Sequence, residues 1–63
     1  MKAPALRAQR EHRALSQREL ADLAQVSRRT VTSLESGSDA HPVTIRKLAE
    51  ALGVDPAELM EKN

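Results

Sequence analysis

The sequence predicts an all-α fold, a compact bundle of five short helices forming one domain over residues 1–63. Three observations carry that reading. Helix-start signals recur along the chain: Ser16 with Glu19 three residues on, Ser27, Pro42, and Asp55-Pro56 with Glu58. Apolar residues follow these starts at helical spacing, most cleanly at Ile45, Leu48, Ala49 and Leu52, which occupy i, i+3, i+4 and i+7. Glycine stands where helices are expected to stop, at Gly37 and Gly53.

Met1 to Ala3 reads as a loose lead-in. Pro4 suits the first turn of a helix, where its missing N–H costs nothing. The first helix is expected to run to about Arg13, with Leu6, Gln9, Arg10 and Arg13 on one side. Ala14 and Leu15 form a link in which Leu15 is buried. The second helix starts at a Ser16–Glu19 capping box and turns Leu20, Leu23 and Ala24 inward. Val26 interrupts that phase. Ser27 caps the third helix, in which Val31 and Leu34 point inward, and Gly37 closes it. The second and third helices make a hairpin over about residues 17–36. Ser38-Asp39-Ala40-His41 is a polar loop. Pro42 opens the fourth helix, Gly53 ends it, and Val54 packs back on the core. The last helix follows Asp55 and turns Leu59 inward, leaving Met60 exposed.

Composition limits what this domain can be. There is no Cys, Phe, Tyr or Trp, so the core is built from Leu, Ile, Val, Ala and Met, without disulfide stapling or a Cys-based zinc site. Each buried Leu or Ile contributes roughly 1.5–3 kcal/mol, against an ordering cost of about 1.5 kcal/mol per residue. Good helix capping or dimerisation is therefore expected to help so small a chain. The formal net charge is only +1, but it is uneven. Residues 1–36 hold seven Lys/Arg against four acids, whereas residues 37–63 hold three against five. No apolar run approaches the ~20 residues of a membrane span, and no signal-peptide core precedes the first helix. A cytoplasmic protein is expected.

Enzyme chemistry is not expected, nor is a cofactor or metal. His12 and His41 are the only histidines, and neither stands at metal-ligand spacing with another ligand. No carboxylate pair, Ser-His-Asp order or Gly-rich phosphate loop stands out. What does stand out is the outer face of the third helix, where Arg28, Arg29, Thr32, Ser33 and Ser36 face away from the core. Arginine donates two parallel bonds to guanine, and Ser or Thr bonds to several base edges. A basic helix face of this kind suits the major groove of double-stranded DNA, and it lies in the basic half of the chain.

Residues 16–37 resemble the helix-turn-helix of the phage-repressor and Cro-like family of DNA-binding proteins. The matching positions are Gln17, Leu20, Ala21, Ala24, Val26, Ser27, Val31, Leu34, Glu35 and Gly37. The likeness runs from about Leu6 to Leu59 and includes Leu48-Ala49-Glu50-Ala51-Leu52-Gly53-Val54 in the closing helices. It implies a lambda-repressor-like domain whose third helix enters the major groove. Arg28, Arg29, Thr32, Ser33 and Ser27 would then read bases. Gln17 would clamp a phosphate at the start of the second helix, with Ser16, Arg18, Ser36, Ser38 and His41 as further phosphate contacts. Arg10 and Glu35 would form an ion pair tying the first helix to the third.

The implied function is transcription regulation, as a repressor in a prokaryote, phage or plasmid. The implied partner is a palindromic or pseudo-palindromic operator, bound by a homodimer at least on DNA. The last helix and the loop before the fourth helix are the expected dimer surfaces, with Ala57 and Met60 as pointers. Related domains also serve as antitoxins or coactivator parts, where the surface bound is another protein. A helical scaffold without a ligand is the remaining alternative. The chain departs from the family pattern at two turns. The family often has glycine at the position of Ala14 and usually has it at Gln25. A left-handed Gln25 would carry a cost on the order of 1 kcal/mol, so the missing glycine leaves the geometry of this turn open. The loop from Ser38 to Val43 also lacks the basic residues that some members carry.

Overall fold

Five helices follow one another in the computed structural model, which describes residues 1–61: α1 (Leu6–His12), α2 (Gln17–Ala24), α3 (Arg28–Glu35), α4 (Pro42–Leu52) and α5 (Pro56–Met60). Lys62, counted above in the charge of the second half, lies outside the described residues. Among those residues there is no strand. α2 packs on α3 and α4, α5 packs on α4, and α1 closes against α3 and α5.

The helix starts are built by the residues that announce them. Ser16 Oγ accepts the Glu19 N–H at 3.0 Å, and the Glu19 carboxylate takes the Ser16 N–H at 2.8 Å. Ser27 Oγ accepts the Thr30 N–H at 3.1 Å. The Glu58 carboxylate takes the Asp55 N–H at 2.8 Å. Each bond satisfies a backbone donor that the first helical turn leaves without a partner.

The ends of α1 to α4 share one design. A residue with positive φ stands in each turn: Ala14 (55°), Gln25 (58°), Gly37 (103°) and Gly53 (71°). Its N–H donates three residues back, as from Ala14 to the Glu11 carbonyl at 2.9 Å and from Gly37 to that of Leu34 at 3.1 Å. The next residue's N–H donates five back. Leu15 thus bonds Arg10 (3.1 Å), Val26 bonds Ala21 (3.0 Å), Ser38 bonds Ser33 (3.0 Å) and Val54 bonds Ala49 (3.0 Å). This pair of bonds is the Schellman closure, which occupies carbonyls the helix end would leave unpaired. Gln25 and Ala14 both take the left-handed conformation without being glycine.

Leu6, Leu20, Val31, Ile45, Leu48, Leu52 and Leu59 are the largest fully buried side chains, drawn from all five helices. The expected inward residues of α3 and α4 are all buried. Leu23 is a correction. It is 60% exposed, and Leu20, Ala21 and Ala24 form the buried face of α2. At 100° per residue those three centre the inward arc about 110° away from Leu23. Leu15 is only partly buried, and Met60 packs in part on the core instead of standing exposed.

The N-terminal segment is the second correction. Ala3 is 2% exposed, so the lead-in is not loose. Met1 and Ala40 exchange two backbone bonds of 2.7 and 2.9 Å, and the Met1 amino group lies 3.4 Å from the Asp39 carboxylate. The Ala5 N–H donates to the Leu59 carbonyl at 3.0 Å. α1 starts at Leu6 and not at Pro4, with Ala5 as its N-cap and Arg13 as its C-cap.

Candidate nucleic-acid interface

α3 is amphipathic because its sequence has two separate periodic sets. Val31 and Leu34 are 0% and 3% exposed and anchor one side. Arg29, Thr32, Ser33 and Ser36 recur at i, i+3, i+4 and i+7 and form the opposite stripe. Arg29, Thr32 and Ser36 are exposed, and Ser33 is half-buried. Arg28 is also exposed, but it stands one position off this stripe, on the flank it shares with Thr32 and Glu35. The two arginines therefore diverge by about 100° around the helix. Among the described residues, the ion pairs are Met1–Asp39, Arg7–Glu11 and Arg10–Glu35. Arg18, Arg28 and Arg29 take part in none of them.

Behind α3 lies a polar seam. Arg10 Nε donates to Glu35 Oε2 at 2.6 Å and Arg10 Nη2 to Glu35 Oε1 at 3.1 Å. The two side chains are 12% and 6% exposed, so the pair is largely withdrawn from water. Arg10 Nη1 also donates to the Leu15 carbonyl at 2.7 Å. Gln17 Nε2 donates to Glu35 Oε1 at 3.1 Å, and Gln17 Oε1 faces the Thr32 hydroxyl at 3.4 Å. The seam thus runs from α1 through the end of α3 to the first residue of α2 and back to the outer stripe. Burial would raise the Glu35 carboxyl, but the hydrogen bonds from Arg10 and Gln17 and the charges of Arg10 and Arg7 overcome it and hold it below its ordinary value. The hydrogen bond to Glu35 raises Arg10 further.

The expected contact residues meet at two places. Ser16, Gln17 and Arg18 stand at the start of α2, with Ser16 and Arg18 exposed and Gln17 half-buried in the seam. Glu19 closes on Ser16 there, and the Ser16 backbone N–H is the main cause holding its carboxyl below the ordinary value. Ser27, Arg29, Ser33 and His41 line one open groove between α3 and the loop before α4, together with Thr30 and Thr44. Ser38 is exposed at the start of that loop, where its N–H closes α3 on the Ser33 carbonyl. The acidic Asp39 lines the groove as well, and Thr30, Thr44 and Asp39 were not among the expected contact residues. Sequence reasoning also missed the Gln17–Glu35 and Arg10–Leu15 bonds, because both link residues that no local pattern pairs.

The start of α2 and the outer face of α3 lie side by side, joined through Gln17 and Thr32, and carry exposed arginines that take part in no ion pair among the described residues. No curated protein matches this sequence. The family model described as helix-turn-helix matches residues 6–59, from the first residue of α1 to the penultimate residue of α5. The chain belongs to the helix-turn-helix family, a fold of DNA-binding regulators.

Proposed function

We propose that the chain is a sequence-specific double-stranded DNA-binding protein, a transcriptional repressor of the phage-repressor and Cro-like type, working as a homodimer on a palindromic or pseudo-palindromic operator. The observation that carries this reading is the exposed stripe of α3 with Arg29 at its N-terminal end and Arg28 beside it. In a helix-turn-helix the N-terminal residues of the second helix meet base edges. Phosphates would be taken at the start of α2, by Gln17, Ser16 and Arg18, and along the loop rim by Ser38 and His41, whereas the Ser36 hydroxyl proton goes to the Thr32 carbonyl and leaves Ser36 no donor for a phosphate. Base edges would be read by Arg28, Arg29, Thr32 and Ser33, with Ser27 at their margin. Arg10 and Glu35 take no part in contact. They hold Gln17 and the C-terminal end of α3 in place.

Size supports two copies. The Cα extents are 22 × 21 × 19 Å, so two domains fit side by side on half-sites about one helical turn, ~34 Å, apart. The described residues include no helix long and apolar enough to cross a membrane. Selection of bound duplexes from a random library tests the proposal. The expected result is a two-fold symmetric motif whose preference relaxes in Arg29→Ala. Absence of any enriched duplex, with no binding at low salt, contradicts it.

A further inference from the structure

The hydroxyls of α3 are unequal once their protons are traced. A threonine or serine hydroxyl has one proton to donate and two lone pairs. Thr32 Oγ1 donates to the Arg28 carbonyl at 3.0 Å, with Gln17 Oε1 next to it at 3.4 Å. Ser36 Oγ donates in the same way to the Thr32 carbonyl at 3.0 Å. Both acceptors of the Thr32 proton belong to the protein, so its hydroxyl has none left for a ligand. The back-bond also fixes the side-chain rotamer, and with it the direction of the γ-methyl. Thr32 therefore offers a passing base edge lone pairs and a methyl group, and no donor. It is exposed and lies on the same stripe as Arg29, which offers donors only.

The four base-pair edges of the major groove answer these two residues differently. Guanine presents two acceptors, N7 and O6, which match an arginine. Adenine presents the N6 amino donor, and its thymine partner presents a methyl group. Cytosine presents a donor but no methyl group. Only an A·T pair offers both a donor to the Thr32 oxygen and a methyl for its methyl. We propose that Thr32 is a specificity-determining residue that selects an A·T pair next to the guanine taken by Arg29, reading thymine through its methyl group. The inference rests on the DNA-binding reading above and names the base pair which that reading leaves open.

The test uses the duplex selected by the wild-type chain, remade with deoxyuridine in place of the thymidine beside the guanine. Removing that one methyl is expected to weaken wild-type binding about fourfold, the effect of one buried methyl group. Thr32→Val keeps the methyl and is expected to show the same loss. Thr32→Ser lacks the methyl and is expected to bind both duplexes equally. Thr32 is exposed, so thermal melts of both variants are expected to match the wild type. Equal wild-type binding to the two duplexes overturns the inference while leaving DNA binding intact. The same loss in Thr32→Ser overturns it too. If no duplex is enriched at all, the DNA-binding reading fails first and takes this one with it.

Discussion

The ends of α1 and α2 differ from the ends of α3 and α4 in one respect. All four close with the same pair of backbone bonds, but α3 and α4 turn on Gly37 and Gly53, whereas α1 and α2 turn on Ala14 and Gln25. The left-handed conformation is thus demanded by the path of the chain and not by the residue that occupies it. Glycine meets the demand without steric cost, and a side chain there costs roughly 1–2 kcal/mol. At the end of α1 the compensation is visible. Arg10 donates to the carbonyl of Leu15, the residue just after Ala14, while holding Glu35. At the end of α2, Val26 follows Gln25 and packs against the core.

Breaking that compensation should give the largest effect. Arg10→Ala leaves the withdrawn Glu35 carboxylate without its cation and releases the Leu15 carbonyl. The expected loss is about 3–5 kcal/mol in urea unfolding. A loss under 1 kcal/mol would mean that the seam does not hold the α1 end. The same pair gives a pH dependence. The Glu35 carboxyl is held below its ordinary 4.5, so its contribution is complete above that value and is lost as pH falls through the lower folded-state value. Glu19 is shifted in the same direction, so the acid limb should be compared between wild type and Glu35→Gln. The variant is expected to lose stability less steeply on acidification, and parallel limbs would contradict the assignment.

Placing a side chain in the glycine turns comes next. Gly37→Ala is expected to cost about 1–2 kcal/mol. A Cβ there meets no atom within 4 Å, so the penalty is purely one of backbone conformation. Gly53→Ala should cost less, because its φ of 71° is nearer the left-handed minimum than the 103° of Gly37. The added Cβ at Gly53 would lie 3.0 Å from Arg13 Nη2, the far end of an exposed side chain that can move. Equal thermal melts for the wild type and both variants would show that these turns tolerate side chains freely.

The smallest effects run the other way. Gln25→Gly and Ala14→Gly should each stabilise the domain by up to about 1 kcal/mol, the steric relief being partly offset by the greater freedom of glycine in the unfolded chain. A fall in melting temperature in either variant would mean that the original side chain contributes packing that outweighs its strain.

These contrasts also mark what could be read from the sequence. Capping boxes at Ser16 and Asp55 and the buried face of α4 were legible because their signals lie within one or two turns of helix. The Arg10–Glu35 pair, 25 residues apart, was reachable only through the family resemblance. Leu23 was misplaced because spacing gives the period of a face but not its centre, which packing against α3 and α4 decides. The burial of Ala3 went unread because it depends on bonds from Met1 to Ala40 and from Ala5 to Leu59, far along the chain. At the interface, the sequence supplied Arg28, Arg29, Thr32 and Ser33 as an outward set. It gave no sign that Gln17 is held by Glu35 or that the Thr32 proton is already committed.

On the proposed function, the start of α2 and the outer face of α3 together grip a DNA duplex as a pair of domains. Affinity for the selected duplex, measured against salt concentration, tests it most directly. About four phosphate contacts per copy give a log–log slope near −3.6 for one copy and about twice that for two copies bound together. A steep slope near the two-copy value, with a stoichiometry of two chains per duplex, is the predicted result. A flat salt dependence, or binding unchanged when Arg28 and Arg29 are both replaced by alanine, would contradict it.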